Sequence, residues 1–387
     1  MTGVSRPITI VAGEASGDTH GAALLRALRE LQPGLVFSGK GGPKMAAEAA
    51  ATGGVLDDWI AEAGVLGLWD VLRHYGYFRR KFHALLDELA ARAPEALILV
   101  DYPGFNLRLA KAVRRRGIPT KILYYISPQV WAWNRRRIPE MARVLDLMIC
   151  IFPFEPELYG RSGLHAVFAG HPMAGELPAV PVGERDPLLL GLFPGSRERE
   201  VRKIFPLLLR AGRLVRESRP EIRLEAAAAT PAHAELMQAM AQQAGVELTV
   251  TAGTSRALMR RAAAGIVCSG TATLEAACLG LPYALVYKVA RLTYEVGIRV
   301  IRVPYLGIVN ILANRPVVRE FIQDQATPAA LADEALRLLN SLEAREQLAA
   351  ELAEVVSTLG GRGEGSAAER AARAALECLA KPARPVQ

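Results

Sequence analysis

Along this chain, short apolar runs end in small polar loops and give way to segments with helical spacing. The pattern is plainest at residues 8–12, 96–100, 188–193 and 264–267, with further runs at 36–37, 121–126, 145–152, 167–169, 223–229, 247–251 and 282–287. A strand that is apolar throughout must be covered on both faces, and that is the situation of a strand in a parallel sheet layered between helices. The second half repeats the plan of the first without repeating its residues. The expected fold class is therefore α/β, with two Rossmann-like, doubly wound parallel-sheet domains facing a cleft. With 387 residues the chain is too long for one ordinary core. A Pro- and Gly-rich stretch at 175–187 reads as the linker between a first domain at 1–174 and a second at 188–359, followed by a C-terminal helix and tail at 360–387.

Two loops in the second half carry anion-binding chemistry. Pro194, Gly195, Ser196 and Arg197 follow one apolar run, and Ser269, Gly270, Thr271, Thr273 and Glu275 follow another that ends near Cys268. Gly270 admits a close backbone approach, Ser269, Thr271 and Thr273 bring hydroxyls, and the first amides of the next helix point at whatever anion sits there. Glu275, placed in the first turn of that helix, is suited to accept hydrogen bonds from a ribose. The same residues also suit an ordinary helix N-cap. In the first half, the run 96–100 ends in Asp101, Tyr102, Pro103, Gly104, Phe105 and Asn106. Ligands of open parallel sheets bind beyond the carboxyl ends of strands, where a carboxylate can take up a proton; an Asp that merely opens a turn is the alternative. Trp131 and Trp133 stand beside Arg135, Arg136 and Arg137, either near a phosphorylated ligand or as a core anchor beside a solvated basic run. His171, before Pro172, suits either a catalytic role or that of a structural hinge residue, the commoner part of a lone His in that position.

The formal charge of +8 favours anionic partners, such as phosphorylated substrates or a phospholipid surface. No helix-turn-helix, zinc-knuckle or RNA-recognition cue accompanies it, so no nucleic-acid partner is expected. Between 64 and 82, Leu68, Trp69 and Leu72 fall at helical spacing, while Phe78 and Phe82 stand among Arg73, Arg79, Arg80 and Lys81. Aromatic plus basic residues suit contact with an anionic membrane or an acyl chain; a core-facing amphipathic helix gives the same pattern. No apolar run reaches the roughly 18 residues of a membrane span. Residues 1–9 run into the first strand without the features of a secretory signal, which predicts a cytoplasmic protein. Cys150, Cys268, Cys278 and Cys378 lack metal-ligand spacing, and the turn at 13–18 lacks the G-x-G-x-x-G spacing of a dinucleotide fingerprint. No metal and no cofactor is therefore expected.

Five stretches are recognisable together: Val-Ala-Gly-Glu-Ala-Ser-Gly-Asp at 11–18, Asp-Tyr-Pro-Gly-Phe-Asn at 101–106, Ser-Pro-Gln-Val-Trp-Ala-Trp at 127–133, Pro-Gly-Ser-Arg at 194–197 and Ser-Gly-Thr-Ala-Thr-Leu-Glu at 269–275. In that order, from about residue 8 to 340, the chain resembles the lipid-A-disaccharide synthase family, glycosyltransferase family 19. The resemblance implies the GT-B form of the twin-Rossmann fold. It implies metal-independent, inverting transfer of 2,3-diacylglucosamine from UDP-2,3-diacylglucosamine to the 6-hydroxyl of 2,3-diacylglucosamine 1-phosphate, giving a β-1,6 disaccharide and UDP. Asp101 is then the general base. Ser196, Arg197, Ser269, Gly270, Thr271, Glu275 and Asn310 serve the UDP-sugar, and Gly13, Glu14 and Ser16 line the acceptor side. Acyl chains enter from the membrane around Leu68, Trp69, Leu72, Phe78 and Phe82. The implied setting is the cytoplasmic face of the inner membrane, with peripheral attachment, and a homodimer is compatible. The nearest rivals are other twin-Rossmann enzymes that use UDP-sugars, an epimerase or a transferase of peptidoglycan precursors; Asp-Tyr-Pro-Gly-Phe-Asn and the Trp pair argue against both. A non-catalytic basic module that binds membrane or RNA is the reading from another class.

Overall fold

The computed structural model describes residues 7–60, 75–301, 303–360 and 365–382, which build two parallel sheets. The first takes β1 (Ile8–Ala12), β2 (Phe37–Gly41), β3 (Val55–Asp58), β4 (Ala96–Val100), β5 (Lys121–Tyr125), β6 (Leu147–Cys150) and β7 (Ala166–Phe168) in the order β3-β2-β1-β4-β5-β6-β7. The second takes β8 (Asp186–Phe193), β9 (Arg223–Ala228), β10 (Thr249–Ala252), β11 (Ala262–Cys268), β12 (Tyr283–Tyr287) and β13 (Glu320–Ile322) in the order β10-β9-β8-β11-β12-β13. Every pairing is parallel. In each sheet the chain runs outward from one strand to an edge and then returns to the other side of that strand. The order therefore reverses between β1 and β4 and again between β8 and β11. Such a reversal opens a crevice beyond the carboxyl ends of the two strands, because the connections that leave them go to opposite faces.

The apolar runs mark the interior strands. β1, β4, β5, β6 and β11 are buried over their whole length. No run marks β3, where only Leu56 is buried, or the three-residue β13. Both are sheet edges, where water reaches the strand and charged side chains are tolerated.

The chain divides into two compact units, Met1–Pro172 with Gly360–Gln387, and Met173–Leu359. The stretch 360–387, read from the sequence as a separate helix and tail, belongs to the first unit. Its helix Ala367–Ala380 opens in a capping box of Ser366 and Glu369 and packs against the helix Ala15–Leu31. Lys121 fastens the far end: its Nζ donates to the carbonyls of Cys378 at 2.7 Å and Leu379 at 2.8 Å, and also to Lys381 O. The stretch 175–187 belongs to the second unit and is no loose tether. The buried Arg185 guanidinium donates to Met259 O at 2.6 Å, Leu279 O at 2.5 Å and Ala262 O at 3.1 Å. All four cysteines are free and buried. Among the described residues, no helix is long and apolar enough to cross a membrane.

Candidate active site

At the first reversal, β1 leads through Gly13 and Glu14 into the helix Ala15–Leu31, and β4 leads through Asp101 and Tyr102 into the helix Pro103–Arg115. Glu14 and Ser16 are exposed, whereas Gly13 is buried, so the expected acceptor set presents Glu14 and Ser16 to solvent. Asp101 is partly buried; burial and the nearby Glu14 carboxylate push its pKa up, against the opposing pull of the Tyr102 amide. A carboxylate made more basic in this way is a better proton acceptor.

Asp101 and Tyr102 both lie in the left-handed region, with φ of 47° and 49°. Non-glycine residues held there cost of order 1–3 kcal/mol each and persist where the surroundings over-determine them. Here the Asp101 amide still donates to Tyr125 O at 3.0 Å, while the Tyr124 hydroxyl (2.5 Å) and Asn106 Nδ2 (2.8 Å) donate to Asp101 O. The Tyr102 ring lies directly on Gly13: a β-carbon at position 13 would stand 2.2 Å from Tyr102 Cδ1. Gly13 is thus required by packing. Asp18, given no separate role by sequence, accepts from the amides of Gly42 (3.0 Å), Lys44 (3.1 Å) and Met45 (2.9 Å), and so holds the start of the helix Pro43–Ala50 against this loop.

The remaining first-unit expectations separate. Trp131 is buried and donates Nε1 to Glu155 Oε1 at 2.9 Å, while Trp133 is exposed, so the pair is split between core and surface. His171 is buried against Phe152, and burial with His20 nearby pushes its pKa down to about 4; it is neutral near pH 7, in keeping with a structural residue. Leu68, Trp69 and Leu72 lie outside the described residues, as does the side chain of Phe78. Phe82 is partly buried, edge-on to Phe105 at 5.4 Å, and Phe105 is edge-on to Trp59 at 5.1 Å. Phe82 therefore packs the helix Tyr75–Arg92 against the core, as the core-facing alternative for this stretch expects. Exposed Arg79, Arg80 and His83 line an open groove on the same helix.

At the second reversal, β8 leads through residues 194–197 into the helix Glu198–Ser218, and β11 leads through Ser269 and Gly270 into the helix Thr271–Cys278. Ser196 and Arg197 are exposed, and Gly195 turns the chain with φ 107° where a β-carbon would stand 2.6 Å from Glu200 Oε2. Glu200 Oε2 accepts from the Arg197 amide at 3.4 Å and Oε1 from its guanidinium at 3.0 Å. The Arg197 side chain is 83% exposed, so this ion pair contributes little and yields readily to a phosphate, which takes a guanidinium through two parallel bonds. Gly270 has φ 151° and open space where a β-carbon would be, and Thr271 beside it is exposed. The positive end of the helix Thr271–Cys278 is thus accessible to an anion. The two loops leave neighbouring strands, since Phe193 pairs with Val267; burial pushes the Cys268 thiol up to about 12, with the Glu200 carboxylate adding to the rise and the Arg197 guanidinium opposing it. Among the described residues no group of three or more His, Cys, Asp or Glu is placed to hold a metal ion.

Three expectations change at this reversal. The Thr273 hydroxyl is buried and donates to Gly270 O at 2.7 Å, so it is committed within the turn. Glu275 sits in the second helical turn, not the first, because the helix begins at Thr271; its Oε1 already accepts from Arg256 Nε at 3.0 Å and Nη2 at 2.8 Å. Asn310 is 1% exposed and its amide is full: Nδ2 donates to Val318 O and Glu320 Oε1, each at 2.8 Å, and Oδ1 accepts from the amides of Val317 and Val318, each at 2.9 Å. It braces the segment before β13 and offers no polar atom to a donor sugar. Arg256 and Glu320 escaped sequence reading because nothing in local spacing ties them to Glu275 and Asn310.

The sequence profile of the lipid-A-disaccharide synthetases matches residues 8–375. A lipid-A-disaccharide synthase of Geobacter sulfurreducens is 41% identical over 97% of this chain and 98% of its own. That of Geobacter metallireducens is 40% identical over 98% and 99%. Among solved structures, the UDP-GlcNAc 2-epimerase of Neisseria meningitidis bound to UDP-GlcNAc superposes with a TM-score of 0.59 at 11% identity, covering 96% of this chain and 98% of that one. MurG of Acinetobacter baumannii gives 0.57 at 15% identity, covering 96% and 98%. At such identities the structural likeness concerns the fold, which is of the two-domain GT-B type.

Proposed function

Because this chain belongs to the lipid-A-disaccharide synthetase family, we propose that its two strand-order reversals divide the work of one glycosyl transfer. The second holds the UDP of the donor, and the first holds the acceptor and its base. The family's reaction moves 2,3-diacylglucosamine from UDP to the 6-hydroxyl of 2,3-diacylglucosamine 1-phosphate. That oxygen attacks the anomeric carbon from the side opposite UDP, Asp101 takes its proton, and UDP leaves with the electron pair of the broken bond. A positioned base contributes about 10²–10⁴ in rate. Charge that gathers on the departing diphosphate is met by the Arg197 guanidinium, by Ser196, by the hydroxyls of Ser269 and Thr271, and by the amides of Gly270 and Thr271 at a helix start. The oxygen of Glu275 that Arg256 leaves is the acceptor for a ribose hydroxyl. Glu14 and Ser16 line the acceptor side.

Both substrates carry acyl chains, so the enzyme must meet a membrane surface. Exposed Arg79 and Arg80 line a groove on the helix Tyr75–Arg92 together with His83 and Asp87, and their two guanidiniums suit anionic headgroups on the cytoplasmic face. The observation that carries the whole reading is the placement of Asp101 and Glu14 at one reversal and of Arg197, Gly270 and Thr271 at the other. Incubation with UDP-2,3-diacylglucosamine and 2,3-diacylglucosamine 1-phosphate, followed by measurement of UDP, tests it. UDP release should need both substrates and should fall by about 10²–10⁴ in Asp101→Asn while UDP still binds. UDP formed without the acceptor would point to a different UDP-sugar reaction, and full turnover in Asp101→Asn would remove that residue from the mechanism.

A further inference from the structure

The Asp101 turn is held more firmly than a turn requires. Its carbonyl oxygen takes Tyr124 Oη from β5 and Asn106 Nδ2 from the helix Pro103–Arg115, and the same Nδ2 reaches Val100 O at 3.2 Å. Tyr124 and Asn106 are both 0% exposed. Burial pushes the Tyr124 phenol well above its ordinary pKa, so it remains a donor throughout the range of any assay. Asn106 Oδ1 is buried and has no hydrogen-bond partner among the described residues, an arrangement that lowers stability. A buried amide that serves the Asp101 carbonyl with its nitrogen and leaves its oxygen unserved is poorly explained by stability alone. Gripping that carbonyl from two sides fixes the peptide plane between Asp101 and Tyr102 and, at a φ of 47°, the direction in which the Asp101 side chain leaves the backbone.

We propose that Tyr124 and Asn106 are positioning residues, which clamp the Asp101 carbonyl and thereby keep a left-handed turn that aims the Asp101 carboxylate at the acceptor hydroxyl. The inference rests on Asp101 acting as the base, and neither clamp residue touches substrate. Without the clamp, the turn relaxes toward negative φ and carries the carboxylate out of line; a misplacement of about 1 Å lowers rate by up to about 10²-fold.

The test is a cycle with Asp101→Asn. Tyr124→Phe removes one hydroxyl and keeps the ring, and Asn106→Ala is the second variant should the first not fold; melting curves and UDP binding establish the fold of each. In the otherwise native enzyme Tyr124→Phe should lower kcat roughly 10- to 100-fold with KM for the donor unchanged. On the Asp101→Asn background the same change should leave the residual rate where it was, because groups that act as a unit are not additive. An equal loss on both backgrounds would show that the clamp supports the fold in general and would overturn the proposal, as would native kcat in both clamp variants. Should Asp101→Asn itself keep its turnover, the base assignment fails first, and that result is visible independently of either clamp variant.

Discussion

Replacing Gly13 with alanine puts a methyl group where Tyr102 already lies. The new β-carbon would stand 2.2 Å from Tyr102 Cδ1 and 2.5 Å from Cε1 and Cγ, more than about 1 Å inside ordinary carbon contact. The ring cannot simply swing aside: it stacks on Phe105 with centroids 6.1 Å apart, and its backbone is held at positive φ next to Asp101. Overpacking of this kind costs about 1–3 kcal/mol, a fall in melting temperature of several degrees for a unit of this size. Movement of the ring by about 1 Å is transmitted to Asp101 through the one peptide bond between them, and a shift of that size costs up to about 10²-fold in rate. Gly13→Ala should therefore lose turnover far out of proportion to its loss of stability. UDP release and a thermal scan on the same preparation measure both, and Gly13→Ala combined with Tyr102→Ala should recover the melting temperature by removing the clashing ring. A Gly13→Ala enzyme with native melting temperature and native kcat would refute the packing of Tyr102 on Gly13.

Arg197→Ala should lower kcat by about 10²–10³, the usual effect of removing one donor to a developing anion. Its melting temperature should stay within error of the native value, since the ion pair it loses is exposed. Asp101, raised by burial and by Glu14, stops acting as a base when it is protonated, so kcat/KM should fall as pH falls, along a limb lying above the roughly 3.9 of an ordinary aspartate. In a pH-rate profile Glu14→Gln moves that limb downward, and Asp101→Asn abolishes it. Glu155 is pushed up to about 7 by burial, whereas in the unfolded chain it titrates at about 4.3. Between those values the folded chain holds the extra proton, so stability declines as pH rises through that window. Melting temperatures across it should lose this slope in Glu155→Gln.

What the sequence disclosed follows from where each residue sits in a sheet. β4 and β11 are interior strands, apolar on both faces, so their ends were visible, and Asp101 and Ser269 with them. β3 carries two aspartates on an edge and β13 is three residues long, so neither produces a run that periodicity detects. The site was legible as residue types and not as commitments. Arg197, Ser196, Gly270 and Thr271 stand exposed, whereas Asn310 and the Thr273 hydroxyl are bound into their own loops by partners that spacing does not reveal. The left-handed pair at Asp101 and Tyr102 was hidden because neither residue is glycine. It depends on Tyr124, which sequence placed only as an apolar position in a strand, and on Asn106, which it placed only within a turn.

The return of the helix Ala367–Ala380 to the first unit sets a schedule on the newborn chain. The seven strands of the N-terminal sheet leave the ribosome early, yet the seat beside the helix Ala15–Leu31 stays vacant until residues 173–359 have all been translated. At about 5–20 residues per second that delay is on the order of ten to forty seconds. Through it, Lys121 has no helix end to grasp, and the surface destined for Ala371, Ala372 and Ala375 is open to chaperones and proteases. A premature stop between residues 173 and 367 therefore injures the half of the molecule that was already made.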